Sequence, residues 1–428
     1  MMLPIVLAAV SAMGIPAVTA DEVRTVDEAL VACGTRHTLS SWTDPKRGIG
    51  CARDVIVKRF EAAAAKDAKA KVVVDKFEAT SPRTRDVPAP LQSVYLVLEG
   101  SDPDRAKTAI VISGHYDSMC SDIMDSSCDA PGADDDASGT TVVLESARLL
   151  AGRPRRATIV LAALAGEEQG LLGGKRLKEW LDGAGYTLGA MLNNDIIGAT
   201  NGATDTRPRV FSADDASIAS RALGLWIEEQ LGKDAVRLIF RNDRFGRGGD
   251  HIPFLEAGLP AVRFTEPKED YRHQHQTPRV EDGVEYGDLP KFMDFAFLAR
   301  AVRLNAEAAD RLARAPAPPT DVTVEGAVKP DATVSFQAPA DAERSGFEIL
   351  SRDTTEPRWS VVKTVDAAGP VVLTGLTIDD RSYAVRSVGK GGLTSIPVFA
   401  KPIVRRPAGY VPGASPSPAP SPVPSPKP

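Results

Sequence analysis

Five short segments between residues 113 and 277 carry side chains that bind metal ions. They are Ser113-Gly-His-Tyr-Asp-Ser, Gly132-Ala-Asp-Asp-Asp-Ala-Ser-Gly, Gly166-Glu-Glu-Gln-Gly, Asn193-Asn-Asp-Ile-Ile-Gly and His273-Gln-His-Gln-Thr. Together they offer imidazoles and several carboxylates, a mixed nitrogen and oxygen set suited to zinc or a similar divalent ion. The chain has only five histidines, and three of them fall here, which argues for one site rather than scattered polar residues. Three consecutive aspartates repel one another unless cations neutralise them. Each segment has a plainer reading alone: a helix cap for the aspartates, solvated loop acids for Glu167 and Glu168, a hydrogen-bonded core residue for a single histidine. All of those would have to coincide at the ends of neighbouring strands, so a paired-metal hydrolase is the leading expectation.

The elements that must position these residues alternate. Residues 109–113, 156–164, 190–194 and 260–264 are short apolar runs that read as buried strands, and each leads into a ligand segment. Helical patterns cover 138–150, 171–181 and 216–231. Alternation of this kind predicts an α/β fold with a mostly parallel sheet covered on both faces. In such sheets ligands bind beyond the carboxyl ends of the strands, where every candidate lies.

The five segments resemble the co-catalytic dizinc aminopeptidases, exported exopeptidases related to glutamate carboxypeptidases and glutaminyl cyclases. The resemblance covers roughly residues 50–310 and implies an α/β/α sandwich around a mixed, mostly parallel sheet. Carried over motif by motif, it implies two Zn2+ per chain. His115 and Asp195 would bind the first, Glu168 and His275 the second, and Asp135 would bridge both. Glu167 would be the general base, taking a proton from a water that the two ions make acidic and passing it to the leaving amine. Asp117 would accept the second N–H of the His115 ring and fix its tautomer. The resemblance also implies a cis peptide between Asp135 and Asp136. Substrates would be peptides with a free N-terminus, their ammonium met by Glu167 and Asp195.

Some positions depart from the family pattern. Thr277-Pro278 after the second histidine favours His275 over His273. Gln274 stands where relatives carry a tyrosine, and Tyr271 is the nearby candidate to replace it. Asp134 reads as a turn residue and His251, in Arg247-Gly-Gly-Asp-His, as structural. A glutaminyl cyclase-like acyltransferase with one zinc is the competing enzyme; the retained Asp135-Asp136 pair favours two metals. A non-catalytic binding protein on the same fold would have lost a ligand or the base, and none is lost.

The rest of the chain bounds this reading. At 428 residues, 43% hydrophobic and 25% charged, it has room for one large globular domain and a small one. A net charge of −6 and the lack of a basic stripe argue against nucleic acid. Residues 1–20 are apolar and small and end in Val18-Thr-Ala, a leader with its cleavage site, although without the usual basic start. Two prolines and a glycine make it a poor membrane anchor, so a secreted or periplasmic enzyme without stable membrane insertion is expected. Four cysteines suit that compartment, and proximity pairs Cys33 with Cys51 and Cys120 with Cys128.

The peptidase domain is expected over 21–312, ending in a helical pattern at 289–312, with a proline-rich linker at 313–320. Residues 321–405 alternate in short strands, and Leu376 followed by Tyr383 resembles the tyrosine corner of a fibronectin type III domain. No chemical constellation lies in that unit; surface or polysaccharide docking through it rests on no specific residue. Residues 406–428 are Pro/Ser/Ala-rich and read as an extended, disordered tail.

Overall fold

The computed structural model describes residues 14–213 and 217–403; the first part of the predicted leader and the predicted tail lie outside the described residues. The chain opens with α1 (Ala20–Val31) and α2 (Ile49–Ala64), followed by β1 (Ala70–Ala79), β2 (Ala89–Leu98) and β3 (Thr108–His115). Then come α3 (Gly139–Leu150), β4 (Thr158–Leu164), α4 (Leu172–Gly183), β5 (Thr187–Asn194), β6 (Arg209–Phe211), α5 (Ile218–Leu231) and β7 (Arg237–Ile239). α6 (Ile252–Glu256), β8 (Ala261–Thr265), the hairpin of β9 (Arg279–Glu281) and β10 (Val284–Tyr286), and α7 (Phe295–Arg314) complete the first unit.

Eight strands form one mixed sheet in the order β1-β2-β4-β3-β5-β8-β6-β7. Its centre, β4-β3-β5-β8, is parallel, the pairs β1–β2, β2–β4 and β6–β8 are antiparallel, and the edge pair β6–β7 is parallel. The four strands read from the apolar runs are thus the parallel centre of a mixed sheet. The unpredicted strand β2 begins Ala89-Pro-Leu, and a proline at a strand's start blurs its signal. All seven residues of β4 are buried, because helices cover both faces. Leu30, Ile56, Leu144, Trp226 and Leu298 pack one face from α1, α2, α3, α5 and α7. Leu177, Leu181 and Phe254 pack the other from α4 and α6. α1 starts in a reciprocal cap, in which the Thr19 hydroxyl accepts from the Glu22 N–H and the Glu22 carboxylate accepts from the Thr19 N–H. Thr19 thus caps a helix beside the boundary read after Ala20, and Ile15 and Val18 pack on the core.

One close approach aims the centre of the sheet at α3. A Cβ on Gly114 of β3 would stand 2.5 Å from the Gly139 carbonyl carbon, and one on Gly139 would stand 2.4 Å from the Asn194 carbonyl oxygen. Only glycine lets the helix start lie directly on the ends of β3 and β5.

α7 starts at Phe295 rather than 289, because Pro290–Phe292 form a separate turn and the Asp294 carboxylate caps the helix by accepting from Phe297 N–H. It runs on through Arg314, where the Ala313 carbonyl accepts from the Arg156 and Ala157 N–H groups. The proline-rich stretch is consequently anchored, with Ala315 and Ala317 buried.

A second unit holds β11 (Thr320–Glu325), β12 (Ala332–Gln337), β13 (Arg344–Asp353), β14 (Ser360–Val365), β15 (Val371–Leu373), β16 (Arg381–Gly389), β17 (Val398–Phe399) and β18 (Lys401–Pro402). They make two four-stranded sheets, β15-β12-β11-β18 and β14-β13-β16-β17, around a core with Phe336 edge-on to Phe347. The two units are joined by polar contacts. Arg358 bonds both Glu228 oxygens at 2.6 and 2.7 Å, Arg386 meets Glu229 at 2.6 Å, and Trp226 Nε1 donates to the Thr394 carbonyl at 3.0 Å. Both predicted disulfides form, Cys33–Cys51 and Cys120–Cys128. Among the described residues no helix is long and apolar enough to cross a membrane.

Candidate metal centre

The ligand segments meet at the carboxyl ends of the central strands. His115 is the last residue of β3, Glu167 and Glu168 follow β4, and Asp195 follows β5. His275 lies in the loop between β8 and β9 with φ +55°. Asp135 sits in the turn Ala133–Ser138 ahead of α3, where the Asp135–Asp136 peptide is cis, as the resemblance implied.

Two groups of three ligand atoms result, each group within 4.8 Å of one another: His115, Asp135 and Asp195, and Asp135, Glu168 and His275. His115 Nε2 lies 3.2 Å from Asp135 Oδ1 and 3.8 Å from Asp195 Oδ1. His275 Nε2 lies 2.8 Å from Asp135 Oδ2 and 3.2 Å from Glu168 Oε1. Asp135 thus turns one oxygen to each group. His275 and not His273 joins the cluster; the His273 ring stacks on Phe292 at 3.8 Å. Tyr271 is 66% exposed and takes no part, whereas Gln274 Nε2 donates to Asp135 Oδ2 at 3.1 Å.

Hydrogen bonds of the surrounding acids hold this arrangement. Asp117 Oδ1 accepts from Gly166 and Glu167 N–H at 2.9 and 3.2 Å, and its Oδ2 accepts from Glu168 N–H at 3.1 Å and the Thr38 hydroxyl at 2.9 Å. The Asp117 backbone carbonyl is 3.2 Å from His115 Nδ1 and the carboxylate is 3.6 Å away. Asp117 therefore shapes the Glu167–Glu168 loop in addition to facing the ring. Asp136 accepts from His115 N–H at 3.0 Å and Gly139 N–H at 2.8 Å, tying β3 to the start of α3. Asp134 accepts from Gly198 N–H at 2.7 Å. Glu167 is the exception: among the described residues its carboxylate accepts no hydrogen bond. His251 is buried, its Nε2 2.9 Å from the Asn242 carbonyl.

Three supports went unread in the sequence. Arg263, fully buried in β8, pairs with Asp195 at 2.9 Å and Asp243 at 3.1 Å. A charge inside an otherwise apolar run was the signal that could have revealed it. Asp288 accepts the N–H groups of Asp134 and Asp135 at 2.8 and 2.7 Å, setting the bridging turn. Arg36, also buried, donates to the carbonyls of Tyr116 at 2.7 Å and Gly132 at 2.8 Å and clamps two ligand loops together. A single acid or arginine in a polar stretch carries no such signal.

The electrostatics call for cations. Burial would depress His275, yet Glu168 and Asp135 outweigh it and hold its pKa up to about 11. His115 is likewise raised, its burial overcome by Asp136, Asp117, Asp135 and Asp195. Burial raises Glu168 despite the His275 charge, while for Asp135 the two histidines overcome burial and keep it well below the usual range. Burial also raises Glu167 well above its ordinary value. The upward pull on both imidazoles expresses the demand of these carboxylates for nearby positive charge. Glu168 Oε1 is buried and accepts no well-aligned hydrogen bond, meeting only the His275 ring nitrogen at 3.2 Å, a position that a divalent ion between the two would satisfy. The donor set, one imidazole and one unshared carboxylate on each side of a shared aspartate, fits two zinc-type ions.

Comparison with known proteins agrees with this chemistry. Residues 93–297 match the pattern of peptidase family M28. A probable zinc metalloprotease of Pyrenophora tritici-repentis is 39% identical over 420 residues, covering 90% of this chain and 96% of its own. Among solved structures, the Legionella pneumophila LapA aminopeptidase superposes with a TM-score of 0.52 at 19% identity, over 69% of this chain and 71% of that one. The Fimbriiglobus ruber glutaminyl cyclase gives 0.50 at 19% identity, over 68% and 95% respectively. At such identities the two structures speak to the fold.

Proposed function

The chain belongs to peptidase family M28 and is a zinc metalloprotease; from that premise we propose that it is an exported aminopeptidase working with two zinc ions. The observation that carries this reading is the pair of ligand groups sharing Asp135, with an uncommitted Glu167 beside them. His115, Asp135 and Asp195 would hold one ion and Asp135, Glu168 and His275 the other. When bound, such ions bring the pKa of a water near neutrality and stabilise the charge that develops on the scissile carbonyl.

The chain's own residues do the rest. Glu167 accepts the proton of the attacking water at its carboxylate and hands it to the leaving amine, work for which a raised pKa is suited. Asp117 keeps Glu167 and Glu168 facing opposite tasks by gripping three successive N–H groups of their loop. Arg263 and Asp136 fix Asp195 and His115 from behind.

A crevice rich in carboxylates favours a protonated amine, which supports cleavage next to a free N-terminus. Two disulfides support an oxidising compartment, secreted or periplasmic. The Tyr383 hydroxyl donates to the Thr377 carbonyl at 2.6 Å, which supports a fibronectin type III-like reading of the second unit.

Paired substrates test the proposal. Aminoacyl anilides and short peptides with free N-termini should be hydrolysed and their N-acetylated forms left intact. Equal rates on both would remove the aminopeptidase reading. Cyclisation of N-terminal glutamine without peptide hydrolysis would make the enzyme a cyclase.

A further inference from the structure

A cavity of about 900 Å³ lies away from the metal centre. It opens where the central strands begin, at Thr108 of β3 and Thr187 of β5, and is closed from the other side by β16 to β18. The eight residues of β3 separate it from His115 by roughly 25 Å of strand. Its walls are mainly apolar, among them Leu188, Ile218, Ile378 and Phe399. Ile218 is 47% exposed, more than a large apolar side chain needs to be in an otherwise covered helix.

Among the described residues the charge of this cavity is one-sided: Arg105, Arg352, Arg381 and Lys401 line it, and no described aspartate or glutamate does, in a chain whose net charge is −6. Arg105 is 7% exposed, and its Nε is buried without a hydrogen-bond partner. Its nearest acids, Asp102 and Asp341, are bonded instead to Arg156 at 2.5 and 2.7 Å. Burial lowers the Arg105 pKa, as expected of a desolvated cation without a partner. Arg352 donates only to the backbone carbonyls of Asp353 and Glu356, and its Nε is likewise buried and unpartnered. Leaving buried guanidinium donors unmade is costly, and a carboxylate is their best-matched acceptor.

We propose that this interdomain cavity binds an amphipathic carboxylate of the fatty-acid class, its head group on Arg105 and its chain along the apolar wall. The volume suits a small-molecule site with few polar anchors. A ligand held there touches both units and would stiffen their junction.

Calorimetric titration of the full chain with dodecanoate, dodecanol and dodecylammonium, each below its micelle concentration, tests this. Dodecanoate should bind one per chain and raise Tm at saturation; dodecanol should bind at least tenfold more weakly and dodecylammonium not at all. Arg105→Gln should weaken dodecanoate at least tenfold. Ala219→Trp, which fills the cavity from α5, should abolish binding while peptidase turnover and zinc content persist. If Arg105→Gln fails to fold, Arg381→Gln on the half-buried strand face should still weaken dodecanoate. Absence of dodecanoate binding, equal binding of dodecanol, or indifference to both the arginine and the Ala219 substitutions would overturn the proposal.

Discussion

Replacing Asp117 with asparagine tests how the Glu167–Glu168 loop is held. Each carboxylate oxygen accepts two hydrogen bonds: Oδ1 from Gly166 and Glu167, Oδ2 from Glu168 and Thr38. Whichever way the new amide turns, its NH2 replaces an oxygen that accepts two of them. Hydrogen bonds to a charged group contribute about 1.5–3 kcal/mol each, so the substitution costs about 3–6 kcal/mol. Part appears as lower stability and part as a displaced loop. A loss of only about 3 kcal/mol from the transition state lowers kcat/KM by about 10²-fold. Because Glu168 moves with the loop, zinc retained after gel filtration should also fall. Thr38→Val, which removes one of the four bonds and leaves the loop N–H groups held, should cost about 1.5–3 kcal/mol and keep the zinc. If Asp117→Asn keeps both its zinc and its turnover within threefold of the parent, the loop is held by something else.

Separate tests reach the base, the packing and one ion pair. Glu167→Gln should keep fold and zinc while turnover drops by the roughly 10²–10⁴-fold typical of a general base; Glu168→Gln should instead lose zinc, and the reverse pattern would exchange their roles. Gly139→Ala should destabilise the protein by at least the roughly 1–3 kcal/mol of an overpacked core, because the new Cβ meets backbone at 2.4 Å; an unchanged Tm would contradict the contact. Asp67 resists the upward pull of burial because Arg155 and the N–H groups of Gly152 and Lys69 hold its pKa down at about 2, against an ordinary 3.8. Its stabilisation, about 2 kcal/mol, is therefore full above pH 4 and lost as pH falls through 2. Urea unfolding of Asp67→Asn should show that deficit at pH 7 and none near pH 2.

The convergence of the candidate ligands was legible because each member sits in a short motif directly after an apolar run, and strand ends converge whatever the loops do. His275 could be favoured over His273 from the Thr-Pro that follows it, and the structure brings it alone to the cluster. What escaped was held by long-range partners. Asp288 lies more than 150 residues from the turn whose N–H groups it accepts, so no local pattern marks it. Arg263 was visible as a charge in a buried run, but its partners Asp195 and Asp243 come from other segments. β2 was hidden by prolines at its start, and β15, β17 and β18 are too short to show alternation. Asp117 was read from its spacing to His115, whereas most of its bonds go to a loop some 50 residues away.

In the proposed mechanism two zinc ions, sharing Asp135, act together. Zinc-free protein titrated with zinc, with bound metal and hydrolysis of a free aminoacyl anilide measured at each point, tests it most directly. Turnover should keep rising until two ions are bound per chain, and Asp135→Asn should lower occupancy of both. Full turnover at one ion per chain, with the second addition changing nothing, would contradict it.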